Sequence, residues 1–196
     1  MSVNLIDKLK NKLKLVESFN IKGEINMKVI CGWASKSEKG TTNGAKGDQT
    51  KSEVKTGFYY EFGQDKTIRF KNSSRGKKAA NAIEKLCNND NIGYGQSDRK
   101  TLYNECDRIG WNIKKINEIR KCNGDCSELV ACAINFAYGK QVIPWSCTTR
   151  DIEHYTVGNK PKCFKLIRSV NEKNLKPGDI ILKAGKHVIM VIDIVR

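Results

Sequence analysis

A thiol and an imidazole can together break an amide bond: the sulfur attacks the carbonyl carbon while the ring moves the proton. Cys126 has the setting such a thiol needs. In Asn123-Gly124-Asp125-Cys126-Ser127-Glu128-Leu129-Val130, Gly and Asp bend and cap the chain before Leu129, Val130, Ala133, Ile134 and Ala137 form a helical apolar stripe. Cys126 then falls in the first helical turn, where unpaired backbone N–H groups and the helix dipole favour negative charge. That predicts a lowered thiol pKa and a ready site for an oxyanion. The plainer role is core packing, because free cysteine is among the most buried residue types. Cys31, Cys87, Cys106, Cys132, Cys147 and Cys163 lack this helix start, and Cys122 precedes it. They read as structural.

A nucleophilic cysteine needs a base, and only His154 and His187 are available. His187 opens the apolar stretch Val188 to Ile194. It follows Leu175-Lys176-Pro177-Gly178-Asp179-Ile180-Ile181-Leu182, a turn and then a partner strand. His154 lies in a polar helical segment beside Tyr155 and reads as a surface residue. A strand-borne His187 facing a helix-borne Cys126 is therefore the constellation expected. The histidines lie 33 residues apart and no C-x-x-C occurs, so neither a metal nor a cofactor is expected.

Those two residues must be positioned by the elements around them. From Val3 to Phe19, Ile6, Leu9, Leu13 and Val16 recur at helical steps opposite Lys8, Lys10, Lys12 and Lys14, a basic amphipathic helix or linker assigned to residues 1–24. Residues 25–196 then form the main domain. Ile25 to Ala34 predicts a strand, Ser35 to Ser52 a long loop, and Glu53 to Phe62 with Thr67 to Phe70 two strands about the turn Gly63-Gln64-Asp65. Ala79, Ala82, Ile83 and Leu86 mark a helix. After the polar break Asn88 to Gly95, Ser97 opens another, with Leu102, Cys106 and Ile109 on one face. Long loops are often functional, which makes Gly47-Asp48-Gln49-Thr50 a candidate site wall.

Composition narrows the class. Lysine and arginine number 36 against 21 acidic residues, a net charge of +15 that draws the chain toward polyanions such as nucleic acid, anionic lipid or acidic wall polymers. Lysine as a default solvated residue is the alternative. Eight cysteines in a chain of this size do not form a compact disulfide scaffold and read as reduced. No apolar run is long enough for a membrane span, and the N-terminus lacks the apolar centre of a secretory signal.

The ordered strings GDCSELV, LKPGDIIL and HVIMVI resemble the nucleophile motif, the Pro-Gly-Asp strand and the histidine strand of NlpC-type, papain-like cysteine peptidases, particularly those of phage lysins. AKGDQTKSEV and NIGYGQSDRKTLYN are similar to elements of a phage-lysin subgroup, so the likeness runs from about Met27 to Ile192. The resemblance implies an α+β papain-like fold in which a nucleophile helix packs on an antiparallel sheet. It makes Cys126 the nucleophile and His187 the general base, and it places Tyr94 at the oxyanion site. The family's third polar residue, which orients the histidine, stands on the strand after the histidine strand, whereas this chain's last residue is Arg196. Asp193 lies about 20 Å from His187 along an extended strand, too far to orient it. The expectation turns to the long loop, Asp48 first and Gln49 second, with Gln49, Asp125 and Ser127 joining Tyr94 at the substrate. The implied activity is endopeptidase cleavage of peptidoglycan peptides by a monomer that binds peptidoglycan and anionic wall polymers, with no specific nucleic acid. It would reach the wall through phage lysis, a phage particle or a dedicated export route. The rivals are an N-acetylmuramoyl-L-alanine amidase using the same pair, and a noncatalytic basic module that binds wall or nucleic acid.

Overall fold

The computed structural model describes residues 27–195, so the helix expected within residues 1–24 lies outside the described residues. Strands β1 (Lys28–Ala34), β2 (Val54–Phe58) and β3 (Lys66–Phe70) come first, then β4 (Ile92–Tyr94) and β5 (Cys122–Gly124), and last β6 (Phe164–Ile167), β7 (Ile180–Lys183) and β8 (His187–Val195). Six of them form one antiparallel sheet in the order β2-β1-β8-β7-β3-β6, while β4 and β5 pair in parallel as a small second sheet. The architecture is α+β, with an antiparallel sheet carrying His187, as the sequence leads one to expect.

β8 is apolar at every position from Val188 to Ile192 because both of its faces are covered. Val188, Met190 and Ile192 face the helical core with Ile30, Ile180 and Leu182. Ile189 and Val191 face a smaller core with Val29, Cys31, Trp33 and Leu175. Alternation thus selects between two interiors rather than between interior and solvent.

Three α-helices cover the main core: α1 (Ser73–Cys87), α2 (Lys100–Arg108) and α3 (Cys126–Tyr138). Asn72 caps α1 by accepting from the Arg75 N–H, and Ala79, Ala82, Ile83 and Leu86 are buried along its inner face. α2 begins later than Ser97 leads one to expect. The Ser97 N–H donates to Asn43 Oδ1 at 2.8 Å, which ties that residue to the long loop instead of a helical turn. α3 is buried from Cys126 to Ala137 and ends at Gly139 in the left-handed conformation, φ 66°. A helix enclosed on all sides packs against α1, β1 and β8 and holds the site from within.

The polar break Asn88 to Gly95 conceals β4, and β6 has no counterpart in the sequence expectations; runs of three or four residues are too short to display a period. The predicted strand Glu53 to Phe62 ends at Phe58, and the chain from Tyr59 to Asp65 turns toward His187 through Gly63, φ 77°. His154 stands exposed at the head of a wide helical turn, His154–Gly158, closed by the Asn159 N–H on the His154 carbonyl. All eight cysteines are free thiols.

One close approach locks α1 to the turn before β7. Gly178 has φ 90°, and a Cβ there would stand 2.4 Å from the Gly76 carbonyl oxygen; a Cβ on Gly76 would meet the Pro177 carbonyl at 3.0 Å. Gly178→Ala therefore combines left-handed strain with a backbone clash and should destabilise the fold by about 2 kcal/mol or more, read as a lower urea midpoint with an unchanged slope.

Candidate active site

The head of α3 is held by a buried polar network. Asp125 Oδ1 accepts from the Glu128 N–H at 2.8 Å and from Ser127 Oγ at 2.7 Å, capping the helix. Its Oδ2 accepts from Arg99 Nη1 at 2.9 Å, and the same nitrogen donates to Ser127 Oγ and to the Cys147 carbonyl at 3.0 and 3.1 Å. One guanidinium thus joins the start of α2, the start of α3 and the chain beyond it. Asp125 and Ser127, expected at the substrate, are buried and engaged inward, where they fix the helix end that carries Cys126.

Cys126 comes to β8 where that strand loses a neighbour. β1 pairs with β8 only as far as Gly32 opposite Met190, which leaves the first residues of β8 unpaired with β1. The Cys126 sulfur lies at the backbone N–H of Val188, the residue next to His187, and at the N–H groups of its own helix start. Burial nevertheless dominates. It pushes the thiol up to about 12, with the Asp125 carboxylate adding to the rise and those N–H groups opposing it. This reverses the expected lowering, because the loss of water around the sulfur outweighs the helix end.

His187 is also withdrawn from water, and its burial holds the imidazole down to about 4. The resting pair at neutral pH is a protonated thiol and a neutral ring. No hydrogen bond joins them; His187 Nε2 instead meets Tyr60 Oη at 3.0 Å. Phe62 packs edge-on against the imidazole with centroids 5.1 Å apart, and Trp33 supports Tyr60 at 5.1 Å. Tyr60 is pushed up to about 12 by its own burial first and then by the charges of Cys126 and Cys31. With Nε2 occupied, Nδ1 is the nitrogen left for the thiol.

Tyr94 closes another side. Burial raises its pKa, and the Cys126 and Asp125 charges raise it further against the hydrogen bond from Gln96 Nε2. The Tyr94 hydroxyl therefore stands within the field of the thiol. Buried Glu53 places it: Oε2 accepts from the Tyr94 N–H at 3.0 Å, and Oε1 accepts from the Gln49 N–H at 2.8 Å.

Asp48 does not meet His187. Its Oδ1 accepts from the Thr50 and Ser52 N–H groups, and its Oδ2 accepts from those of Glu53 and Val54, so both oxygens are spent on folding the loop into β2. The Gln49 amide donates to the Lys46 and Gly47 carbonyls. Both residues, expected to orient His187 or meet substrate, contact Glu53 and so support Tyr94 from behind. Among the described residues, no group of three or more His, Cys, Asp or Glu side chains is arranged to hold a metal ion.

A family model for the endolysin-like domain matches residues 31–194, a span that takes in the end of β1, the long loop, both tyrosines, Cys126 and His187. The chain belongs to the endolysin-like domain family. Membership makes this endolysin-like domain a cell-wall lytic protein with a phage-lysin-like relationship, acting on peptidoglycan. No curated protein and no solved structure matches it. No helix among the described residues is long and apolar enough to cross a membrane.

Two residues of the domain's site escaped the sequence. Tyr60 lies in Tyr59-Tyr60-Glu61-Phe62, which reads as the end of a strand; its only signal is a dense aromatic cluster just before a glycine turn. Glu128 follows Cys126 by two and reads as a solvated first-turn acid, yet it is fully buried and neither carboxyl oxygen has a hydrogen-bond partner. Burial pushes it up to about 9 against the pull of Arg99. Its folded pKa thus lies above the unfolded value, and the native state holds a proton that the unfolded chain releases between about pH 4.5 and about pH 9. Stability from this group is greatest below that window and declines as pH rises through it. Glu128→Gln should remove the decline, stabilising the domain by on the order of 3 kcal/mol at neutral pH and by little near pH 4, as read from urea melts across the range.

Proposed function

We propose that this domain is a Cys–His hydrolase that cuts an amide bond in cell-wall peptides through an acyl-enzyme. The observation that carries the reading is the meeting of Cys126, at the capped head of a buried helix, with the β8 backbone beside His187, in a chain of a cell-wall lytic family. A neutral imidazole is the form that can accept a proton. His187 Nδ1 takes the Cys126 proton as the sulfur bonds to the substrate carbonyl carbon, so thiolate forms only as it is consumed. The Cys126 N–H and the Tyr94 hydroxyl supply donors for the oxyanion. The imidazolium then gives its proton to the departing amine, and water, activated by the same ring, releases the acyl group and restores the thiol.

Tyr60 fits the position that the missing orienting residue would fill. For Nδ1 to accept from the thiol, Nε2 must carry the ring's hydrogen and donate it to Tyr60 Oη. The tyrosine then fixes the ring's tautomer and steadies the imidazolium. This assigns a positioning role to a neutral phenol where the sequence directed attention to a carboxylate.

Cys126→Ala should leave a folded protein unable to solubilise purified walls, and the native protein should lose activity as pH falls through about 4, where His187 becomes protonated; lysis retained by the alanine variant overturns the assignment. Mass spectrometry of native digests should show new amino ends within the peptide, whereas peptides released from intact sugar chains would establish the amidase reaction instead. Tyr60→Phe keeps the ring and loses the acceptor. It should lower kcat about 10-fold, roughly 1.4 kcal/mol, with KM and melting temperature little changed, and move the acid limb to lower pH because the imidazolium loses a hydrogen bond.

A further inference from the structure

At the opposite end of the sheet from His187, three cavities join into a basic trough, and a fourth that shares Lys77 and Pro177 with it brings Glu84 and Asp193 to its edge. The central one, about 410 Å³, lies between the start of α1, the end of β3 and the turn before β7. Lys71, Lys77, Lys165 and Lys176 surround it, all exposed. It shares Arg69, Lys176 and Pro177 with a second cavity that reaches Lys173, and it shares Lys71 with a third that reaches Lys162. β7 runs from Ile180 beside Met190 to Lys183 beside His187, so Pro177 lies about 20 Å from the catalytic end along the strand.

The lining selects among anions. The one acid in these three cavities, Asp179, is neutralised: its carboxylate receives Arg69 Nε at 2.7 Å and Arg69 Nη2 at 2.6 Å. That contact spends one planar fork, and the other, Arg75, lies over the Tyr138 ring, so most of the remaining cations are ammonium groups that act as point charges on phosphate. Among the described residues, none of Lys71, Lys77, Lys165 and Lys176 takes part in an ion pair. The aromatic residues lining the trough, Phe70 and Tyr138, are each covered by a neighbour. Phe70 and Phe164 are buried against each other at 4.6 Å, and Tyr138 lies beneath the Arg75 guanidinium at 4.1 Å. A single-stranded nucleic acid would find its backbone matched and its bases unserved. The rigid floor, made by the Gly76–Gly178 contact and the Arg69–Asp179 pair, keeps the lysines around one concavity.

We infer that this trough binds a linear phosphodiester polymer without bases, and that it holds the domain on the wall while the Cys–His end cuts; the cutting half rests on the function proposed above, whereas the binding half does not. The probe is poly(glycerol phosphate), titrated against the full chain carrying Cys126→Ala at several salt concentrations. Changing Lys71, Lys77, Lys165 and Lys176 together to Gln should weaken binding at least 10-fold at about 0.15 M salt and lower the log–log salt slope by about 3. A control set of equal charge change, Lys36, Lys39, Lys114 and Lys115 to Gln, should cost less than about 3-fold. Equal losses in the two sets, undiminished binding in the trough variant, or tighter binding of single-stranded DNA or anionic vesicles through the same four lysines would overturn the inference. With Cys126 restored, the trough variant should lyse walls stripped of phosphate polymer at the native rate and intact walls more slowly; equal slowing on both would also overturn it. Persistent lysis by Cys126→Ala would remove the Cys–His reading while leaving the polymer titration as it stands.

Discussion

Removing a sulfur from water governs the site's electrostatics. A thiol at a helix head is usually assigned a stabilised anion, but here the helix is enclosed, and desolvation outweighs the N–H groups of α3 and Val188. Cys126 keeps its proton, and the same burial keeps His187 neutral. A neutral pair avoids placing two charges in a poorly solvated seam before substrate arrives. In the reaction proposed above, the neutral ring would accept the proton, and charge separation would be deferred to the step in which the oxyanion donors and the tyrosine contact compensate it.

Such a seam must be built from parts that do not move relative to one another. Arg99 secures three segments through one nitrogen, at Asp125, Ser127 and Cys147. Glu53 bridges the long loop and Tyr94, and Asp48 folds that loop by accepting from four turn and strand amides, those of Thr50, Ser52, Glu53 and Val54. The acids expected to touch substrate or histidine thus work one layer farther out. Asp125 and Glu53 have both carboxyl oxygens met by donors, whereas Glu128, with neither oxygen paired, keeps a proton.

The two ends of the sheet divide the chemistry. Near His187 the surroundings are aromatic, with Tyr60 and Phe62 against the ring, and two nearby lysines are paired, Lys66 with Glu153 and Lys183 with Asp65. At the Pro177 end the lysines of the trough stand without acidic partners among the described residues. A net charge of +15 says only that polyanions are attracted; which cations remain available, and whether they share one concavity, depends on where the chain folds its acids.

The α3 start, the Pro-Gly turn and the β8 run were legible because each depends on near neighbours in the chain. A cap needs Asp three residues before an amide, a reversal needs Gly at φ 90°, and a strand between two cores needs an unbroken apolar run. Cys126 and His187 could be singled out on that basis. Tyr60 could not, because its partner is 127 residues away and its aromatic surroundings read equally as strand. The same limit hid β4 and β6, whose pairing energy comes from distant strands, and it misdirected Asp48, whose amide partners exist only once the loop has closed. Even the sign of the Cys126 shift was a tertiary matter: local sequence specifies the helix end, but the depth of burial is set by everything packed over it.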